Sequence, residues 1–102
     1  MTACSKIFVS RHARERTRER FPSLSRASDV ALNRLILGVA FRGQAFGRSV
    51  VVGERYVRGW LPPGSHPVVL LLKQDTRCEV VLTVMTEAQA LESGAFDREG
   101  IE

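Results

Sequence analysis

The chain has 102 residues, 44% of them apolar and 25% charged, which suits one domain around a single core and excludes global disorder. The longest purely aliphatic run, Val68 to Leu72, is strand length and far below the roughly 18 residues that span a bilayer, so no membrane partner is expected. The net charge of +4 is unevenly spread: residues 1–60 hold twelve Lys/Arg against four Asp/Glu (+8), and residues 61–102 hold three against seven (−4).

Thirteen of the fifteen basic residues are arginine, whose planar fork of donors matches phosphate bidentately as lysine cannot. A one-sided, arginine-dominated charge suits nucleic acid or an acidic protein partner. The first residues lack the long apolar segment of a secretory signal, which makes a cytoplasmic location the expectation. Cys4 and Cys78 are then expected as reduced thiols, with a bridge between them as the alternative. Two cysteines and two widely spaced histidines, His12 and His66, do not make a structural zinc site, and no metal or cofactor is expected.

In chain order, Ile7-Phe8-Val9 is apolar and can begin a sheet, and Ser10 can cap the helix that follows. Residues 12–20 contain good helix formers and no Gly or Pro, but Ala13 is their only apolar side chain, so the helix is expected to add little to the core. Phe21-Pro22 ends it, because a residue before proline is pushed out of the helical region. A second helix is expected from Ser23-Leu24-Ser25, with Ala27, Val30, Ala31, Leu35 and either Ile36 or Val39 near a 3.6 period and Gly38 as its stop. Ser49 to Val52 is strand-like, and Gly53-Glu54 reads as a turn. Arg55 to Leu61 alternates as a half-exposed strand does, and Pro62 to Pro67 reads as a loop containing His66. Val68 to Leu72 belongs in the centre of the sheet, Lys73 to Arg77 in a hairpin connection, and Glu79 to Met85 in the partner strand. Thr86-Glu87-Ala88-Gln89 has capping-box spacing for a last helix closed by Gly94. The expected fold is α+β: N-terminal helices, an antiparallel sheet of about four strands, and a short C-terminal helix, in one domain over residues 1–96 with an acidic tail over 97–102.

The segment Ser10 to Arg20 bears on chemistry. His12, Arg16 and Arg20 are each one helical turn apart and project along one side. Such a stripe can present cationic forks and one imidazole to a phosphodiester: histidine exchanges protons near neutrality, and arginine stabilises charge developing on phosphorus. Histidine near a helix start is equally a residue that bonds a neighbouring backbone group. Arg11, Arg14 and Arg18 are candidates for nucleic-acid contact or, for Arg14 and Arg18, a solvated face paired with Glu15 and Glu19. Arg55 adds a basic position, and Tyr56, Arg58 and Trp60 alternate on one strand face that can stack bases or complete a core edge.

The pattern Ser10-x-His12-Ala13-x-x-Arg16-x-x-x-Arg20 after a short strand, with Val81-Leu82-Thr83-Val84 in a late strand, resembles small bacterial and phage proteins related to the RelE toxins. The resemblance covers roughly residues 7–86 and implies a helix pair followed by an antiparallel sheet. The wider superfamily, with its barnase-like and colicin-like ribonucleases, implies metal-independent RNA cleavage in which the ribose 2′-hydroxyl attacks the adjacent phosphate. RelE-type toxins act on messenger RNA at the ribosome and are held by an antitoxin. Carried over by position, His12, Arg16, Arg20 and Thr83 are the candidate catalytic set. The chain departs from the toxins at its C-terminus, where residues 78–102 carry one Arg and several acids in place of further basic or aromatic residues. Two functions follow: an RNA-binding, toxin-like ribonuclease module partnered by RNA or the ribosome, and a non-enzymatic phage or mobile-element protein that binds and inhibits an acidic host protein.

Overall fold

The computed structural model describes residues 6–46, 48–49, 51–61, 66–75, 78–92 and 96–97. Along the chain run β1 (Ile7–Val9), α1 (Arg11–Arg20), a 3-10 turn (Pro22–Leu24), α2 (Asp29–Arg42), β2 (Gln44–Ala45), β3 (Arg48–Ser49), β4 (Glu54–Leu61), β5 (His66–Asp75), β6 (Cys78–Met85), α3 (Glu87–Glu92) and β7 (Phe96–Asp97). The class is α+β, but the main sheet has five strands, in the order β1-β6-β5-β4-β2. It is mixed, because β1 runs parallel to β6. A parallel pair needs a long crossover; here the crossover is most of the domain, so no local pattern announces it. The small pair β3–β7 places Asp97, expected in the tail, opposite Arg48.

The apolar run Val68 to Leu72 lies in β5, the central strand, with β4 and β6 antiparallel on either side. Strand alternation splits it between two cores. Val68, Leu70 and Leu72 pack with Val57, Leu61, Val81 and Val84 under α1 and α2. Val69 and the half-buried Leu71 face the other way, with Tyr56, Met85, Phe46 and Ala90 of α3. Val81 and Val84 are three apart yet share a face because the register slips: Leu72 opposes Val81, Leu71 opposes Thr83, and Leu82 is the extra residue of a bulge.

α1 contradicts the expectation of a helix with no core role. Ala13 and Thr17, four apart, are both fully buried, and the Thr17 hydroxyl donates to the Ala13 carbonyl at 2.8 Å. Small side chains on that stripe let the helix lie close to β6, so closeness replaces greasy bulk. Ser10 caps the helix by accepting from the Ala13 amide at 3.0 Å and donates its own proton to the Leu82 carbonyl at 3.1 Å. Phe21 ends the helix as expected.

The second helix starts and stops later than the sequence suggests. Ser23 to Ser25 belongs to the 3-10 turn, and Ser28 is the true cap of α2, accepting from the Ala31 amide at 3.1 Å. Gly38 lies inside the helix, which runs to Arg42 with Gly43 as its C-cap. Helical order there is supplied by packing: Ile36, Val39 and Ala40 are buried against the sheet. Val51 and Val52 are a bend and turn before Gly53, whose φ of +85° suits glycine, and Val52 is 98% exposed. Thr86 and Gln89 form the reciprocal capping box, at 3.0 and 3.1 Å. Gly94 lies outside the described residues.

His66 is not a loop residue but the first of β5, opposite Leu61. Cys78 is joined in a disulfide, which corrects the reduced-thiol expectation for that residue. Ile7 of β1 is in parallel register with Glu79, the residue after it; Cys4, the chain's other cysteine, lies outside the described residues. No helix among the described residues is long and apolar enough to cross a membrane.

Candidate nucleic-acid interface

The motif helix spends half of its polar side chains on the fold: Ser10, Arg14, Thr17, Arg18 and Arg20. β1 stops at Val9, so among the described residues the β6 carbonyls beyond it have no strand on that side. Ser10 takes the Leu82 carbonyl, and Arg20 donates through Nη1 to the Val84 carbonyl at 2.6 Å. Burial, reinforced by the neighbouring Arg16 cation and opposed by Glu19, lowers the Arg20 guanidinium from its ordinary value. Arg14 donates to the Val9 carbonyl at 3.0 Å and to Asn33 Oδ1 at 3.2 Å, joining β1 to α2. Arg18 donates to the Ala27 carbonyl at 3.0 Å and to Asp29 Oδ1 at 2.6 Å. Arg14 and Arg18 thus hold α2 instead of forming a solvated face with Glu15 and Glu19.

Three motif residues remain open. His12 is exposed and has no hydrogen bond or ion pair among the described residues. Arg11 pairs with Glu15 at 2.9 Å and Arg16 with Glu19 at 2.6 Å, both as exposed neighbours on one helix. Such pairs contribute at most about 0.5 kcal/mol and yield readily to a competing anion. Thr83, the fourth candidate catalytic residue, sits opposite Leu71 on the face that carries α3, with the sheet between it and α1. The structure therefore does not bring Thr83 to His12, Arg16 and Arg20. The reason is the Leu82 bulge, which sends Val81 and Val84, and not Thr83, toward the helices.

The β4 candidates separate as well. Arg55 is committed to Glu79 across β5 through two hydrogen bonds, at 2.6 and 2.9 Å. Hydrogen bonding from Arg55 holds the Glu79 carboxyl below its ordinary value. Tyr56 is buried in the second core. Trp60, two strand repeats along the same face, is 57% exposed. Between them lies Arg58, its guanidinium carbon 5.7 Å from the Phe46 ring centre and 5.8 Å from that of Trp60, within cation–π range of both. Its Nη2 lies 3.4 Å from Glu87 Oε2, and its Nε is buried without a hydrogen-bond partner among the described residues.

Trp60 and Arg58 also line a groove of about 700 Å³ between β4 and the C-terminal half of α2. From α2 it receives Arg34 and Arg42, and no carboxylate lines it among the described residues. Arg34 is exposed and has no polar partner among the described residues; Arg42 is exposed and touches only its own helix, Nε to the Gly38 carbonyl at 3.4 Å. Glycines make the close approach possible. A Cβ on Gly59 falls 2.7 Å from Val39 Cγ1, and one on Gly43 falls 2.5 Å from the Arg58 carbonyl. A Cβ on Gly38 falls 2.7 Å from Arg42 Nη2, so that guanidinium folds back over the bare turn.

The sequence carries a signal for Arg34 and Arg42: they are eight residues apart, on one helical stripe with Gly38 midway. Reading Gly38 as a helix stop breaks that stripe. A smaller cleft, about 620 Å³, lies where the 3-10 turn meets the start of β5; there His66 Nε2 is 3.5 Å from Ser23 Oγ, beside the Phe21 ring. Among the described residues no group of three His, Cys, Asp or Glu is placed to hold a metal ion. Comparison with protein-family models, with curated proteins and with solved structures finds no match for this chain.

Proposed function

We propose that this chain is an RNA-binding module that uses the groove between α2 and β4. The observation that carries the reading is the pair Arg34 and Arg42: two exposed guanidinium groups without carboxylate partners among the described residues, beside an exposed tryptophan, in a groove with no acidic lining. Arg14, Arg18, Arg20 and Arg55 are bonded to carbonyls or carboxylates of other elements, and Arg58 is held by two aromatic rings and Glu87. Arg34 and Arg42 make no such bond to another element. A polyanion supplies what they lack, and the +8 balance of the first sixty residues adds long-range attraction. Arg11 and Arg16 add exposed cations on α1, outside that groove.

The reading is confined to binding. Cleavage by the set that the RelE resemblance implies asks His12, Arg16, Arg20 and Thr83 to converge on one phosphate. Arg20 is bonded to Val84, and Thr83 lies across the sheet. A fluorescence-anisotropy titration of labelled RNA across a salt series tests the proposal. Binding that weakens steeply with salt is expected. In Arg34→Ala/Arg42→Ala the slope of log affinity against log salt shrinks by roughly 0.7 for each phosphate that is no longer neutralised. Absence of binding at low salt, or an unaffected double variant, refutes it. Capture of an acidic protein with the same double-variant sensitivity, and no RNA binding, favours the host-protein inhibitor.

A further inference from the structure

We infer that the groove reads the Watson–Crick edge of one unpaired base through the main chain of Trp60, with nearby phosphates held by Arg42 and Arg34; this rests on the groove being the RNA-binding surface.

The sheet edge opens at Trp60. Along an antiparallel strand, successive residues turn their N–H and C=O groups to one neighbour and then to the other. Just before β4, the Gly53 carbonyl accepts from the Gln74 amide of β5 at 2.8 Å, and the Tyr56 carbonyl accepts from the Phe46 amide, on the β2 side, at 3.0 Å. β4 then pairs with β5 without a slip from Glu54 to Leu61. Val57, Gly59 and Leu61 therefore turn their main-chain groups to β5, whereas Tyr56, Arg58 and Trp60 turn theirs outward. Pro67 agrees with this: it stands opposite Trp60 in β5 and has no N–H to give. On the outer side β2 reaches as far as Arg58, which it meets through Gln44. Two residues further, the register would set Arg42 against Trp60, but Arg42 is the last residue of α2. Among the described residues the Trp60 N–H and C=O are thus left without a strand partner, and Trp60 lines the groove.

The indole takes no part in this. It lies with Arg58 and Tyr56 on the α3 face of the sheet, whereas α2 packs on the other face. What β4 turns to its open edge here is main chain: one donor and one acceptor on one residue, pointing the same way. Such groups are met by water or by a ligand. An unpaired base offers the complement on its Watson–Crick edge, a donor beside an acceptor, as N3–H and O4 are in uracil. Addition of a peptide strand uses a row of main-chain positions; the described edge offers one, which suits a flat ring. Gly43 and Gly59 line the groove beside it and leave the approach clear of side chains. Arg42 and Arg34 line the same groove from α2, eight residues apart and about 12 Å along the helix axis. In duplex RNA each Watson–Crick edge is spent on the opposite strand. The Trp60 contact therefore selects unpaired RNA, which the arginines alone do not.

The test uses the intact chain. Amide hydrogen exchange, followed by NMR, compares Trp60 with Gly59, whose N–H faces β5. In the free chain a fast Trp60 amide beside a protected Gly59 is expected. Saturation with a uridine dodecamer slows exchange at Trp60, and inorganic polyphosphate, which has the charge without the bases, does not. Affinities are read from the anisotropy of end-labelled RNA. A dodecamer of N3-methyluridine keeps the phosphates and the ring but has lost the N–H donor. It is expected to bind about 5- to 150-fold more weakly than the uridine dodecamer, the range of one bidentate base contact, and a twelve-base-pair RNA duplex also binds more weakly. A Trp60 amide already protected in the free chain, unchanged exchange with the uridine dodecamer bound, or equal affinity for the methylated dodecamer refutes the edge contact while RNA binding stands. If no RNA changes the anisotropy, the RNA reading itself fails and this inference with it. Protection of the Trp60 amide by an acidic peptide, without RNA binding, would overturn both in favour of an added protein strand.

Discussion

Arg20 reaches from the last turn of α1 to the Val84 carbonyl of β6, 64 residues away in sequence, and closes the bond at 2.6 Å. Ser10 does the same for Leu82 at the other end of the helix. Two residues of a pattern that reads as catalytic are thus the fasteners of α1 to the edge of the sheet.

Replacing Arg20 tests that role. Arg20→Met keeps the apolar stem but removes the donors and leaves the Val84 carbonyl unsatisfied. A loss of about 1–3 kcal/mol is expected, the cost of orphaning a part-buried acceptor, read from urea denaturation. Ser10→Ala removes both a cap and a bond to Leu82, and about 0.5–2 kcal/mol is expected from the cap alone. Unchanged midpoints in both would mean that water serves those carbonyls equally well.

The approach of α2 to β4 yields a second test. Gly59→Ala places a methyl group 2.7 Å from Val39 Cγ1, a distance at which the valine side chain, the helix or the strand must shift. Overpacking of this kind costs about 1–3 kcal/mol. Val39→Ala alone opens a small cavity. Combined, the added methyl occupies space that the valine vacates, so the double variant is expected to be more stable than the sum of the single losses predicts. Strict additivity would show that the two side chains do not compete for that space.

These relationships separate what short-range patterns encode from what they do not. The α+β class, the central place of Val68–Leu72, the end of α1 at Phe21 and the capping box at Thr86 all follow from local sequence, and the structure has them. The parallel β1–β6 pair, the Leu82 bulge and the burial of α1 by Ala13 and Thr17 depend on distant segments meeting, which periodicity does not encode. The same division runs through the candidate site. Strand alternation marks Trp60 and Arg58, but whether Trp60 faces solvent depends on how far β2 extends. Arg34 and Arg42 form no stripe in the sequence reading, because an interior glycine reads as a stop until the sheet that stabilises the helix is in view.

Stability is expected to fall in acid. Hydrogen bonding from Arg18, aided by the Arg14 cation, holds the Asp29 carboxyl below its ordinary value, and hydrogen bonding from Arg55 does so for Glu79. A carboxyl depressed in the folded state binds fewer protons there than in the unfolded chain. Its contribution is therefore complete above the ordinary carboxylate value and is lost as pH falls through the depressed one. Urea midpoints measured from about pH 6 down to about pH 3, spanning the ordinary carboxylate values, should decline, and Asp29→Asn/Glu79→Gln should decline less steeply. An equal slope in the double variant would assign the acid sensitivity to other carboxyls.

His12 separates binding from catalysis. It is exposed, engages no partner among the described residues and stands at the start of α1, away from both cores. His12→Ala should leave the stability within about 0.5 kcal/mol of the parent, as for surface substitutions away from packed or bonded groups. Labelled single-stranded RNA incubated with the protein should remain intact with either form, because neither Thr83 nor Arg20 joins His12 at one phosphate: Thr83 lies beyond the sheet and Arg20 is bonded to Val84. Gel analysis of the RNA after extended incubation decides the point. Cleavage by the parent that disappears in His12→Ala would restore the imidazole as a proton-transfer group, and the phosphodiester would then have to be reached by Arg16 and Arg11 released from Glu19 and Glu15.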